Sequence, residues 1–92
     1  MGKNKFMNTI TVWVTKYALS TGIEKLDVEY DEINFPNMVS EKSSTGYKRY
    51  FHGEGKDWHR TEEGAKSRAE KMRTKKISSL EMQISKLKKY SF

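Results

Sequence analysis

A polar cluster in the middle of the chain has the residue types needed for metal binding or acid–base catalysis. It comprises His52, Glu54, Asp57 and His59, whose imidazole and carboxylate groups can bind divalent metals or transfer protons. Glycines interrupt the cluster, the chain has no cysteine, and the spacing fits no recognised metal motif. We therefore predict no enzymatic activity, no metal and no cofactor. Catalysis by His52 and His59 is the minor alternative, and the preferred interpretation is a polar turn in which Trp58 anchors a following helix.

Two neighbouring patterns could bind phosphate or nucleic acid. Residues 53–56 (Gly-Glu-Gly-Lys) lack the glycine-to-lysine spacing of a phosphate-binding loop and the hydroxyl residue that follows it, so a nucleotide site is not predicted. Residues 47–51 (Tyr-Lys-Arg-Tyr-Phe) alternate rings with cations, as in proteins that stack on single-stranded nucleic acids. They do not match the RNA-recognition-motif pattern. Nucleic acid therefore stays an alternative partner.

A β-sheet must position these side chains, and the first third of the chain predicts its start. β-Branched and aromatic residues dominate positions 9–19, which favours a first strand. Val12 and Val14 lie on one side of that strand and Trp13 and Tyr17 on the other, because successive side chains alternate. The valine side is the predicted core face, with Ile10 beside it.

A hairpin and further short strands are expected to complete the sheet. Leu26, Val28 and Tyr30 alternate with charged residues after a glycine turn, which predicts an antiparallel second strand. Shorter strand patterns follow at 38–40 and 47–52.

At 92 residues the chain fits one domain. We expect an α+β fold over 1–92, with an antiparallel sheet of three or four strands in 8–55 and one long amphipathic C-terminal helix over 61–90. The absence of cysteine and of long apolar runs favours a reducing, cytoplasmic setting with no membrane segment.

The predicted helix is longer than the sheet that should support it. From Thr61 onward, apolar residues recur about every 3.6 positions, the period of an α-helix. A helix that ends at Tyr90 would be roughly 43 Å long, whereas six-residue strands span about 20 Å. The end of the apolar row must therefore find another partner.

The spacing within that row favours a second copy of the chain. The residues follow a 3-4-3 pattern with isoleucine and leucine at the positions typical of two-stranded coiled coils; they are Ile77, Leu80, Ile84 and Leu87. A parallel pair would also place Lys76 near Glu81 of the other copy. We predict a homodimer through these residues. A helix that bends back on its own subunit is the alternative.

The positive charge of the protein is concentrated in the predicted helix. The formal net charge is +6, and residues 1–55 are balanced with seven cations and seven acids, so the excess lies in 56–92. Clustered Lys and Arg attract nucleic acid or an acidic protein surface. The predicted contacts are Lys66, Arg68, Arg73, Lys75 and Lys76.

Aromatic side chains on the outer side of the sheet predict a protein-binding surface. Trp13, Tyr17 and Tyr50 would stay uncovered if the helix packs on the valine side of the first strand. Sheet-on-sheet packing in a dimer would bury the same rings.

Two segments resemble known short proteins. Residues 9–23 (TITVWVTKYALSTGI) and 50–63 (YFHGEGKDWHRTEE) look like those of accessory proteins encoded by tailed bacteriophages and prophages. Gly64 departs from that likeness, because alanine is more usual at this position in such proteins. The resemblance carries over no functional residue. It implies a phage product in a bacterial host cell, where such proteins often disable a host machine, including restriction or CRISPR defence. We therefore predict a non-enzymatic inhibitor or modulator that binds a host protein or complex, an anti-CRISPR role among the options, with nucleic-acid binding as the alternative.

Overall fold

A computed structural model of the chain describes residues 7–42 and 47–92. The protein is α+β, as predicted. Its elements, in chain order, are β1 (Met7–Val14), α1 (Ala18–Thr21), β2 (Glu24–Asp31), β3 (Met38–Glu41), β4 (Tyr50–His52), β5 (Trp58–His59) and α2 (Glu62–Lys88).

The sheet has five strands in the order β4-β3-β2-β1-β5, and every pair is antiparallel. The prediction of three or four strands within 8–55 is therefore wrong. The missed strand is β5, in which Trp58 pairs with Val14 and His59 pairs with Trp13. Two residues are too few to show the alternation by which strands are recognised in a sequence.

The first strand is shorter than predicted. It ends at Val14 rather than at residue 19, because Thr15 leaves the β1–β2 ladder and donates its backbone N–H to the carbonyl of Asp57, 2.9 Å away. One helical turn, α1, then completes the connection to β2. The predicted hairpin is confirmed, with β1 and β2 paired along their full lengths.

The sheet curls until its two edges meet. β4 and β5 lie at opposite edges, yet only residues 53–57 connect them. A flat sheet would separate these edges by four strand spacings of about 4.8 Å. Contacts close the gap at Asn37, whose carbonyl accepts the Gly53 backbone N–H at 2.7 Å and the Trp58 indole N–H at 3.0 Å. Gly53 has φ +93°, a conformation that favours glycine at this turn.

The hydrophobic core fills the concave side of the curled sheet. Its buried members come from all five strands: Val12, Val14, Val28, Tyr30, Val39, Phe51 and Trp58. The valine side of β1 is thus confirmed as the core face. Tyr30 and Trp58 meet edge to face at 5.6 Å between ring centroids, and the Arg60 guanidinium covers the Tyr30 ring at 4.9 Å.

Arg49 joins two strands at the edge of this core. Its guanidinium donates to Glu41 at 2.8 and 3.0 Å and to Glu24 at 3.1 and 3.2 Å, and lies 5.4 Å from the centroid of the Phe51 ring. The hydrogen bonds from Arg49 hold the pKa of Glu41 below its usual value.

We expect Arg49→Gln to lower the free energy of unfolding by about 1 kcal/mol, because these partly exposed ion pairs are only modestly stabilising. Urea unfolding followed by circular dichroism measures it. Lys48→Gln, which removes the single contact of Lys48 with Glu29 at 2.9 Å, should cost less. An equal loss of unfolding free energy in both variants would contradict a special role for the paired contacts of Arg49 with Glu41 and Glu24.

Helix α2 begins as the sequence predicts. Thr61 accepts the backbone N–H of Gly64 at 3.1 Å, and Glu62 and Glu63 lie in the first turn. The helix docks on the convex side of the sheet, because its buried residue Ala65 is not part of the core cluster around Val12 and Gly64 lies beside the ring of His59. His59 shares that side with Trp13, its partner across the ladder. The prediction that Trp13 stays uncovered assumed that the helix packs on the Val12 side. The helix does not pack on that side.

Candidate binding surface on helix α2

Most of helix α2 projects beyond the sheet. The helix has 27 residues, which corresponds to about 40 Å, and the molecule measures 69 × 28 × 21 Å. Every residue from Arg73 to the end of the chain is exposed. The helix is continuous from Glu62 to Lys88 and does not bend back on the described part of the chain. The length mismatch predicted from the sequence is therefore a feature of the fold.

Helix α2 packs against the rest of the subunit through one narrow face of its first three turns. Ala65 is fully buried, and Ala69 and Met72 are half-buried, all within the first three turns. They are spaced by four and three residues and so share one face. Leu19 of α1 borders the same crevice as Met72. Beyond Met72 every residue of the helix is exposed, although Lys75, Lys76 and Ser79 still line the crevice beside Leu19.

An apolar stripe occupies a second side of the projecting part. It consists of Ile77, Leu80, Ile84 and Leu87, whose side chains are 49%, 42%, 51% and 67% exposed. At about 100° per residue, the stripe is rotated by roughly 70° from the docked side. It is therefore free to meet another molecule while the helix stays attached to its sheet.

The five predicted phosphate contacts do not share a face. Lys66 and Arg73 lie on the side of the apolar stripe, and Lys76 lies at its edge. Arg68 and Lys75 lie roughly 180° away. Arg73 is also paired with Glu70 at 2.7 Å. The predicted set is thus not brought together as one surface.

A different set of cations does form a row. It runs along the side opposite the apolar stripe and consists of Arg68, Lys71, Lys75, Lys86 and Lys89, which we call the basic stripe. Arg68 and Lys86 are 18 residues apart, as are Lys71 and Lys89, which is five full turns of 3.6 residues. The acids of α2 lie on the other half of the helix: Glu62, Glu63, Glu70 and Glu81. Sequence reasoning missed three members because it used local charge density instead of angular position.

The three rings of the predicted aromatic surface lie on different elements. Trp13, on β1, is half-buried with the Lys25 ammonium 5.6 Å from its ring centroid, whereas Tyr17 and Tyr50 are exposed. Tyr50 lies on β4, which is not a ladder neighbour of β1. Their grouping into one protein-binding surface stays a prediction.

Three of the four side chains in the polar cluster make structural contacts. Asp57 accepts the backbone N–H of His52 at 3.1 Å, and Glu54 pairs with Arg60 at 2.7 Å. His59 is buried, and its Nε2 lies 2.9 Å from Thr15 Oγ1. Among the residues that the structure describes, no three His, Asp or Glu side chains are grouped as metal ligands.

The buried histidine makes stability depend on pH. Thr15 donates its only hydroxyl hydrogen to the Lys56 carbonyl at 2.7 Å, so His59 must donate its Nε2–H to Thr15. Burial lowers the pKa of His59 from 6.5, and the nearby positive charge of Arg68 lowers it further. The folded protein therefore binds this proton less readily than the unfolded chain.

We expect the free energy of unfolding to fall as the pH decreases below about 6.5, because unfolding then takes up a proton at His59. The loss amounts to about 1.4 kcal/mol for each unit by which the pKa is lowered. Urea titrations between neutral and mildly acidic pH measure it. His59→Gln should flatten this dependence, whereas His52→Gln, at the exposed second histidine, should leave it unchanged. A dependence that survives His59→Gln would contradict this assignment.

Comparison with known proteins gives no match to a family model, a curated protein or a solved structure. The resemblance to phage accessory proteins therefore stays a hypothesis. No helix of the described chain is both long and apolar enough to cross a bilayer.

Proposed function

We propose that this chain is a non-enzymatic binding protein that pairs with a second copy of itself through the apolar stripe of α2. The exposure of all four stripe residues on a helix that projects from its own sheet carries this proposal. Leucine and isoleucine so exposed in one row cost free energy in water, and a second helix removes that cost.

A parallel arrangement agrees with both charge and shape. Lys76 and Glu81 flank the stripe on opposite sides, and a parallel pair in register brings Lys76 of one copy to Glu81 of the other. The stripe is rotated from the docked side, so a two-fold axis along the helices puts the two sheets on opposite sides of the pair.

Paired helices would present two sheets for binding a partner. The polar cluster is engaged in hydrogen bonds and ion pairs, so a role as a binding module fits this chain better than catalysis. The partner class rests on the sequence resemblance alone: a bacterial host protein or complex, such as a defence system, whose surface the dimer would occlude. Trp13, Tyr17 and Tyr50 are the side chains to test for that contact.

Cysteine cross-linking tests the pairing and its direction. The protein has no cysteine of its own, so Ile84→Cys introduces a single thiol at the centre of the stripe. In a parallel pair the two thiols lie close enough for a disulfide, and mild oxidation should give a covalent dimer. Met82→Cys, on the outer side of the helix, is the matched control and should stay monomeric on a denaturing gel. No cross-link at residue 84 would contradict parallel pairing.

A further inference from the structure

We infer that the basic stripe of α2 is a binding site for the phosphate backbone of double-stranded nucleic acid. Four of its members, Lys71, Lys75, Lys86 and Lys89, are exposed, and none forms an ion pair within the described residues. No acid of α2 lies among them. Ammonium groups in such a row gain free energy by replacing the counterions condensed on a duplex.

The length of the stripe fits a duplex. From Arg68 to Lys89 the helix rises about 32 Å, close to the roughly 34 Å of one turn of B-form DNA. Arg68 is half-buried against the sheet, so the exposed lysines supply the contacts. The four exposed lysines make point-charge contacts with phosphates, and none of the exposed members of the stripe is an arginine, asparagine or glutamine, whose planar groups pair with base edges through two hydrogen bonds. Binding should therefore be independent of sequence.

The composition of the stripe disfavours single strands. Proteins that hold single-stranded nucleic acids place aromatic side chains between their cations, on which the bases stack. Between Arg68 and Lys86 helix α2 has no aromatic residue, and Met82 is the one apolar side chain in the basic stripe. A duplex, whose bases are already stacked, needs only the charges.

An anionic membrane is the other polyanion that a basic row could meet. A helix that lies in a membrane interface buries an apolar side along its length and carries its lysines and arginines on the opposite, polar side. In α2 the side opposite Lys71 and Lys75 is occupied by Lys66 and Arg73 instead of apolar residues, so only the second half of the helix could insert. A duplex needs no insertion and can contact the whole basic stripe, which lies roughly 180° from the apolar stripe. The same separation makes duplex binding independent of self-pairing, because either contact leaves the other stripe free.

The test measures binding of the unmodified chain to a short fluorescein-labelled DNA duplex by anisotropy between 50 and 200 mM salt. With four lysines in contact, the logarithm of affinity should fall against the logarithm of salt with a slope of roughly −3.6. Duplexes of unrelated sequence should bind equally. The same strand without its complement should bind more weakly, as should vesicles that contain anionic phospholipid.

Two matched variants locate the site. Lys75→Gln with Lys86→Gln removes two charges from the basic stripe, and Lys66→Gln with Lys88→Gln removes two exposed charges from the other half of the same helix. The stripe variant should lower the slope by about 1.8 and weaken binding by about tenfold at 100 mM salt. The control should change affinity less than about threefold and keep the slope. Equal losses in both variants, no duplex binding at 50 mM salt, or preferred binding to single strands or vesicles would overturn the inference.

Discussion

Ile84→Glu should abolish the proposed dimer and leave the protein monomeric. Residue 84 lies at the centre of the apolar stripe, and in a parallel pair the two glutamates would face each other in a buried contact. An unpaired buried charge costs about 3–5 kcal/mol, so the dissociation constant of the pair should rise by at least about 100-fold. Sedimentation velocity of both proteins at the same micromolar concentration measures the change.

The matched control is Met82→Glu. Met82 is 63% exposed and lies on the outer side of the same helix, two residues away. It should leave the mass of the dimer unchanged, and in both variants the circular dichroism of the sheet should stay as in the parent protein. Loss of the dimer in both variants would indicate that an added negative charge anywhere on the helix prevents association, and would contradict a specific role for the apolar stripe.

Trp58→Ala should have the largest effect on stability. The side chain is fully buried, closes the curled sheet between β1 and β4, meets Tyr30 edge to face and donates to Asn37. Replacement of a buried tryptophan by alanine costs about 3–5 kcal/mol, a large share of the roughly 5–14 kcal/mol that a domain of this length has. Urea unfolding followed by circular dichroism measures the loss without relying on tryptophan fluorescence.

Two further variants separate the contributions. Trp58→Phe retains a ring but loses the hydrogen bond to Asn37, and should cost about 1–2 kcal/mol. Trp13→Ala, at the half-buried second tryptophan, should cost about 1 kcal/mol. If Trp13→Ala were as damaging as Trp58→Ala, the core would not lie on the concave side.

Periodicity was sufficient to predict the long elements. The alternation around Val12 and Val28 and the 3.6-residue period from Ala65 onward each extend over enough residues to define a face. The length of the helix relative to the strands follows from simple geometry. It correctly predicted that the apolar residues from Ile77 to Leu87 are left exposed by the described part of the subunit.

The features that the sequence did not predict depend on contacts between residues that are far apart in the chain and that close the curled sheet. β5 is recognisable only through its pairing with β1, and Trp58 changes from a helix anchor to a core residue because the sheet curls. No local sequence pattern encodes the side of the sheet on which α2 docks. The basic stripe could have been predicted from the sequence. It requires only the angular positions of Lys71, Lys86 and Lys89 around a helix that was already predicted.

Sedimentation equilibrium of the unmodified chain over a range of micromolar concentrations tests the self-pairing most directly. The apolar stripe predicts a mass that approaches twice the 10.8 kDa of one chain as concentration rises, with a single monomer–dimer equilibrium describing all the data. A mass of one chain at every concentration would contradict the proposal that a second copy covers Ile77, Leu80, Ile84 and Leu87.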